Sequence, residues 1–164
     1  MIPKKNLKHY SFLVYGLGLT GKSVINFFNK NGIKNFKVWD DNYKNLYKNK
    51  RSTNLIKTLR DVDYIILSPG ISLRKSKNRN NLIKYKKKII TDLDLFFLVK
   101  KFSKSIVVTG TNGKSTTCTI LAHVLKKNKY RPILGGNIGA PVLSLKINKK
   151  DIIIIEASSF QLSY

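Results

Sequence analysis

Cysteine and acidic residues are scarce in this 164-residue chain, and it contains no long apolar stretch. The single cysteine, Cys118, excludes a framework of internal disulfides, and we expect it to be a small packed residue. No run reaches the roughly 18 apolar residues that a membrane-spanning helix needs. Residues 1–5 lack the apolar core of a signal peptide. We therefore expect a cytoplasmic protein without a membrane span.

The scarcity of acids leaves a strong positive charge. There are 32 lysines and arginines against 8 acidic residues, a formal net charge of +24. Such a charge is often found in nucleic-acid-binding proteins. Here, however, the basic residues are dispersed in short runs, without the interleaved aromatic residues that stack on bases. The pattern indicates solvated surfaces. We expect no specific nucleic-acid partner, only weak nonspecific polyanion binding at low salt.

Residues 109–116, Thr-Gly-Thr-Asn-Gly-Lys-Ser-Thr, predict a site for nucleotide phosphates. They follow the apolar run 105–108 and open a segment, 117–127, with apolar residues at helical spacing. In such a strand–turn–helix the backbone N–H groups bind phosphate, Lys114 supplies positive charge and Ser115 can ligate Mg²⁺. The first glycine comes later than in the usual motif, so this loop is shortened. A chance Gly-Lys-Ser in a lysine-rich chain is the alternative.

Four consecutive isoleucines, 152–155, end in Glu156, the only glutamate of the chain. A β-branched apolar run of this kind predicts a fully buried strand of a parallel sheet. Ligands of such sheets gather at the carboxyl ends of the strands. We interpret Glu156 as a Mg²⁺ ligand that faces the phosphate loop in the role of a Walker-B acid. A solvated strand end, or a helix cap for the residues from Ser158 onward, is the alternative.

The N-terminal half alternates apolar strands with helical segments. We predict strands at 11–15, 36–39, 63–67 and 88–90, a helix after Gly21 that ends at Gly32, a helix at 92–101 and a linker at 102–104. Residues 16–21 match G-x-G-x-x-G, with Asp40 and Asp41 about twenty residues further on, which indicates dinucleotide binding. The second phosphate loop argues against a dehydrogenase. So does the lack of an obvious hydride-transfer acid or base beyond His9 and His123.

Motifs in both halves are shared with one family. They are Gly-Leu-Gly-Leu-Thr-Gly-Lys-Ser at 16–23, Leu-Ser-Pro-Gly-Ile at 67–71, the loop at 109–116, Gly-Gly-Asn-Ile-Gly at 135–139 and Glu-Ala-Ser-Ser-Phe-Gln-Leu at 156–162. In this order the chain resembles the Mur ligases, in which the shortened phosphate loop is the normal form. The resemblance implies an α/β fold: a Rossmann-like, parallel-sheet, UDP-substrate-binding domain at 1–102, then the start of a P-loop-type, ATP-binding central domain at 103–164. The rest of the central domain, with a second metal site, and the C-terminal domain are missing, so we expect a fragment or a decayed gene.

The opening glycine motif and the Ser-Ser-Phe-Gln-Leu ending favour the branch of the family that joins D-glutamate to UDP-N-acetylmuramoyl-L-alanine. The resemblance implies a UDP-substrate site at Gly18, Leu19, Thr20, Asp40, Asp41, Ser68, Pro69, Gly70, Asn137 and Gln161. It implies an ATP site at Gly110, Thr111, Asn112, Gly113, Lys114, Ser115 and Thr116, with Mg²⁺ on Ser115 and Glu156 and catalytic roles for Lys114 and Glu156. The implied cofactors are ATP and Mg²⁺, the reaction passes through an acyl phosphate, and the full-length parent is expected to be a monomer.

Other functions stay open at this point: a UDP-sugar-binding module with a vestigial phosphate loop, another Mur or folylpolyglutamate-type ligase, or an NAD-dependent oxidoreductase. We expect residues 1–102 to fold as a unit. Residues 104–164 are too few to cover both faces of a parallel sheet. We therefore expect the isoleucine run 152–155 to lie partly exposed at an edge, and the chain alone to aggregate and to lack ligase activity.

Overall fold

The protein is described by a computed structural model over residues 7–43, 45–71, 73, 76–101 and 104–162. These residues form two compact units that divide between Asp94 and Leu95. Each unit is built on its own parallel sheet, as the α/β prediction requires. No helix in the described ranges is long and apolar enough to span a bilayer.

The first unit contains a four-stranded sheet in the order β2-β1-β3-β4. The strands are β1 Phe12–Tyr15, β2 Phe36–Trp39, β3 Tyr64–Leu67 and β4 Ile89–Ile90, and the helices are α1 Leu19–Lys30, α2 Leu55–Asp61, α3 Arg79–Lys84 and α4 Asp92–Val99, which crosses the unit boundary. The chain runs outward from β1 to β2 and then returns to β3 on the other side of β1. This reversal is a topological switch point, where the carboxyl ends of the strands leave a crevice for ligands.

Strand β1 is the centre of the first core, and its four residues are fully buried. On one face, the ring centroid of Phe12 lies 4.8 Å from that of Phe28, which lies 5.3 Å from that of Phe36. On the other face, Leu13 and Tyr15 pack in a second buried apolar cluster. Burial on both faces explains why this strand reads as a continuous apolar run and does not alternate.

The ends of two helices follow from local chemistry. Gly32 has φ +66°, its N–H donates to Asn29, and the N–H of Ile33 donates to the carbonyl of Phe28, 2.9 Å away. These bonds form a Schellman motif, so the predicted helix end at Gly32 is confirmed. At the start of α4, the Thr91 amide donates to the Asp94 carboxylate, and the Asp94 amide bonds back to the Thr91 hydroxyl, which is a capping box.

The second unit contains a three-stranded parallel sheet in the order β5-β7-β6. Its strands are β5 Lys104–Val108, β6 Arg131–Gly136 and β7 Asp151–Glu156, and its main helix is α5 Lys114–Lys127. Val108 of β5 and Gly136 of β6 both pair with Glu156, so the carboxyl ends of the three strands are level. Residues 102 and 103 of the predicted linker lie outside the described residues, and the domain boundary placed there stays a prediction.

The prediction that the isoleucine run 152–155 lies partly exposed at an edge is wrong. Strand β7 is hydrogen-bonded on both sides, and its isoleucines are between 0% and 7% exposed. Strand order places β7 at the centre of the sheet, where β5 and β6 pair its backbone, and α5 packs against it. Among the described residues, exposed apolar side chains of this unit include Val107 on β5 and Ile120 and Val124 on α5.

Candidate nucleotide-binding sites

The glycine turn between β1 and α1 uses its three glycines in different ways. Gly16 has φ +97°, and a Cβ there would lie 2.8 Å from the Cβ of Ser68. A Cβ on Gly21 would overlap the carbonyl oxygen of Gly16. A Cβ on Gly18, by contrast, would have no atom within 4 Å. Two glycines therefore permit the turn itself, and the third leaves open space at the N-terminus of α1, where backbone N–H groups can bind an anion.

Ser68 closes this turn against β3. Its hydroxyl donates to the Gly16 carbonyl at 2.8 Å, and its amide donates to the Tyr15 carbonyl at 3.0 Å. The turn that follows is held by a 2.9 Å bond from the Ile71 amide to the Ser68 carbonyl, and it leaves Gly70 exposed. The structure thus brings two motifs predicted for the UDP substrate together at the carboxyl ends of β1 and β3. Ser68 itself supports the backbone.

Asp40 holds the glycine turn from the β2 side. Its carboxylate is 6% exposed and accepts the amides of Leu17 at 2.6 Å, Asn42 at 2.8 Å and Tyr43 at 3.0 Å. Burial alone would raise the pKa of Asp40, but these donors, aided by the charge of Arg51, outweigh burial and lower the pKa. The predicted site residue is therefore a structural anchor in this geometry, and a direct contact with ligand stays a prediction.

Asp41 belongs to a separate polar cluster. Its carboxylate accepts the Tyr15 hydroxyl at 2.9 Å, the Trp39 ring N–H at 3.0 Å and the Asn78 side-chain amide at 3.0 Å. Burial, the largest effect, together with the neighbouring Asp41, raises the pKa of Tyr15 to about 12, so this phenol stays protonated. Sequence reasoning missed Tyr15 and Asn78 because nothing in their local pattern indicates a partner far away along the chain.

Sequence reasoning also missed the role of Arg51. Its guanidinium lies over the Trp39 ring, 5.0 Å from the centroid, and donates to the carbonyls of Tyr43 at 2.9 Å and Asp40 at 3.2 Å. The loop after β2 is therefore held both by its own carboxylate and by this arginine. Of the remaining residues predicted at this site, Leu19 is 80% exposed and Thr20 is half-buried at the start of α1.

The phosphate loop of the second unit has the predicted strand–turn–helix form. Gly110 has φ +148° and Gly113 has φ +75°, values that favour glycine, and α5 begins at Lys114. The Lys114 ammonium folds back over the loop and donates to the carbonyls of Gly110 at 2.8 Å and Thr111 at 3.3 Å. Residues 109–113 are exposed, so their backbone groups are accessible to a ligand.

Glu156 lies at the carboxyl end of β7, 5% exposed, and accepts the Ser115 hydroxyl at 2.6 Å. The structure therefore brings together the two residues predicted to hold Mg²⁺. A hydroxyl and a carboxylate beside a phosphate loop fit this cation, which takes oxygen ligands and completes its shell with phosphates and water. No larger cluster of metal-ligating side chains occurs in the part of the chain that the structure describes. Nearby Cys118 is buried, as predicted, and burial raises its pKa.

The last two predicted contacts flank β7. The backbone N–H of Asn137 donates to the backbone carbonyl of Glu156 at 3.0 Å, and Asn137 is exposed at the end of β6. Gln161 is 6% exposed, and its side-chain oxygen accepts the Ser158 amide at 2.9 Å. Asn137 thus lies at the ligand edge of the sheet, whereas Gln161 closes the turn after β7. Their contacts with a substrate stay predictions.

Comparisons with known proteins give the same family for both units. Residues 10–90 match "Mur ligase MurD-like, N-terminal domain", and residues 108–164 match "Mur ligase middle domain". The chain is similar to UDP-N-acetylmuramoylalanine--D-glutamate ligase of Buchnera aphidicola subsp. Schizaphis graminum, at 42% identity over 92% of this chain and 35% of that protein. A ligase of the same name from Francisella philomiragia is 41% identical over 96% of this chain and 36% of that protein.

Among solved structures, a pseudomurein peptide ligase type C from Methanothermus fervidus covers 92% of this chain and 33% of its own, with 23% identity and a TM-score of 0.41. The chain spans about a third of the length of the curated relatives it matches.

Proposed function

This chain belongs to the Mur ligase family, and from that premise we propose that it forms the UDP-substrate and ATP-binding part of an ATP-dependent amide ligase. The substrates are UDP-N-acetylmuramoyl-L-alanine and D-glutamate, as the names of its relatives suggest. The observation that carries the proposal is the 2.6 Å contact between Ser115 and Glu156 beside an exposed phosphate loop. It supports nucleotide phosphate chemistry in the second unit.

In the second unit, the loop amides and Lys114 bind the phosphates of ATP. Lys114 exchanges its bonds to the loop carbonyls for bonds to phosphate oxygens, where its charge offsets the charge that develops during transfer. Ser115 and Glu156 would hold Mg²⁺, which when bound neutralises phosphate charge. The chain's contribution is mainly positioning and electrostatics, as is typical of phosphoryl transfer.

In the first unit, the open space beside Gly18 receives the diphosphate of the UDP substrate. The α1 N-terminus supplies backbone donors, and the Asp40 carboxylate keeps the turn in shape through the Leu17 amide. The loop after β2 is joined to this turn through the Asp40 carboxylate, and we assign the nucleoside to that loop. These roles follow from the switch-point position of the site.

The proposed reaction has two steps. The carboxylate of the UDP substrate attacks the γ-phosphorus of ATP, which gives an acyl phosphate and ADP. The amine of D-glutamate then attacks the acyl carbon, the amide bond forms and inorganic phosphate leaves. Holding the two reactants in place supplies much of the rate enhancement of such a step. We further propose that the parent enzyme is cytoplasmic and monomeric, with domain roles divided near residue 102.

Nucleotide binding by the purified chain tests the first-unit role. By calorimetry, UDP should bind and NADH should not. Gly18→Ala should weaken UDP binding about tenfold or more, because a methyl group fills the phosphate space, and should leave the melting temperature nearly unchanged. Asn26→Ala, an exposed change on α1, is the matched control. Tight NADH binding without UDP binding would contradict the ligase proposal.

The second-unit role has its own test. ATP should bind more tightly with Mg²⁺ than with EDTA. Glu156→Gln should remove this difference without affecting UDP binding, because the amide is a weaker metal ligand than the carboxylate. Lys114→Ala should weaken ATP binding in both buffers. A Mg²⁺ effect of unchanged size in Glu156→Gln would mean that the acid is only structural.

A further inference from the structure

The loop after β2 presents one large aromatic side chain to solvent. Tyr43 is 57% exposed, although its backbone is fixed on both sides. Its amide donates to Asp40 at 3.0 Å, and its carbonyl accepts from Arg51 at 2.9 Å. An exposed aromatic residue on a fixed backbone loses little entropy when a planar ligand stacks on it.

The position of the Tyr43 backbone relative to the glycine turn is set by one carboxylate. One oxygen of Asp40 accepts the Tyr43 amide, and the other accepts the Leu17 amide at 2.6 Å. The backbones of the two loops are therefore separated only by two hydrogen bonds and the carboxylate between them. A nucleotide whose phosphates lie at Gly18 would direct its nucleoside toward the loop that carries Tyr43.

Side-chain contacts hold this loop from behind. Arg51 lies over the Trp39 ring and bonds two loop carbonyls. The side chain of Asp41 is occupied by the cluster with Tyr15 and Asn78. Asp40 and Asp41 thus shape the loop, and Tyr43 offers it an exposed aromatic surface.

We propose that Tyr43 is the platform on which the base of the nucleoside diphosphate stacks, and that it contributes to base-dependent affinity at this site. The inference rests on the proposed function of the first unit and adds a residue that the glycine motif does not indicate. Stacking on an aromatic side chain is tolerant of base identity, so it strengthens binding of nucleotides over base-free phosphates.

The test compares UDP with inorganic pyrophosphate, a diphosphate without a base, on the purified chain. Tyr43→Ala should weaken UDP binding by about fivefold or more, the range typical of base stacking. It should leave pyrophosphate binding unchanged, and Tyr43→Phe should bind UDP as the unsubstituted chain does. Tyr130→Ala, which removes a similarly exposed tyrosine (52%) from the second unit, is the matched control.

The outcomes separate the two proposals. If the unsubstituted chain binds no UDP, the proposed function fails and this inference fails with it. If the chain binds UDP and Tyr43→Ala binds it equally well, the inference alone is wrong. An equal loss of UDP and pyrophosphate affinity would also overturn it, because Tyr43 would then support the loop and not the base.

Discussion

Replacement of Asp40 by asparagine tests the reasoning about the glycine turn most directly. The side-chain amide keeps one acceptor oxygen and turns the other acceptor into a donor. One Asp40 oxygen accepts the Leu17 amide, and the other accepts the amides of Asn42 and Tyr43. In the asparagine variant, the amides on one of these two sides lose their acceptor. Leu17 is 1% exposed, so water cannot easily replace that partner.

The magnitude follows from these bonds. A hydrogen bond to an ionised group contributes about 1.5–3 kcal/mol, and a buried donor left without an acceptor costs about 1–3 kcal/mol. We expect Asp40→Asn to lower the free energy of unfolding by about 2–3 kcal/mol at pH 7. With a urea m-value of about 1–3 kcal/mol/M, the midpoint should fall by roughly 0.7–3 M.

The pH dependence has a definite sign. The pKa of Asp40 is lower in the folded chain than its ordinary value of 3.8. Its stabilisation is therefore fully present above about pH 4 and is lost as the pH falls through the folded pKa. The Ser11 amide and hydroxyl also lower the pKa of Asp63. Asp63 is present in both the unsubstituted chain and Asp40→Asn, so its contribution cancels when their free energies of unfolding are compared.

Urea titrations followed by circular dichroism at pH 7 and pH 3 measure this difference. Asp61→Asn removes an exposed carboxylate that pairs with Arg60 at the surface and should leave the midpoint nearly unchanged. Hydrogen exchange of the Leu17 amide should accelerate in Asp40→Asn. An unchanged midpoint at pH 7, or a difference that does not shrink on acidification, would refute the role assigned to Asp40.

Further expected outcomes concern the fold and the chain as a whole. Lys88→Met should lower the free energy of unfolding by about 1–2 kcal/mol. The reason is that the Lys88 ammonium donates to the carbonyls of Arg60 at 2.6 Å and Val62 at 2.7 Å, at the end of α2. Lys87→Met, at an exposed neighbouring position, should leave this free energy unchanged. Gly21→Ala should abolish cooperative melting of the first unit, because its methyl group would overlap a carbonyl. The chain alone should release no phosphate from ATP with both substrates, and sustained turnover would contradict the expectation that further domains are needed.

Local patterns were sufficient for the strands of the first sheet, for helices α1, α4 and α5, and for the phosphate loop, but they did not indicate α2 or α3. Apolar runs predicted β1 and β7, since a strand buried on both faces needs no alternation. The glycines at 110 and 113 predicted a turn that only positive φ values permit. The rule that ligands gather at the carboxyl ends of strands predicted that Glu156 faces the phosphate loop. In the structure, the Ser115 hydroxyl donates to the Glu156 carboxylate at 2.6 Å.

Only the tertiary structure decided strand order and the partners of the polar residues. Strand β7 lies at the centre of its sheet with α5 packed against it, and the isoleucine run is buried. Asp40 and Asp41 are neighbours in sequence, yet one binds backbone amides of the glycine turn and the other binds Tyr15 and Asn78. Periodicity reports which way a side chain points within its own element. It carries no information about which distant donor lies opposite, because that depends on how strands are ordered and on how the loops between them close.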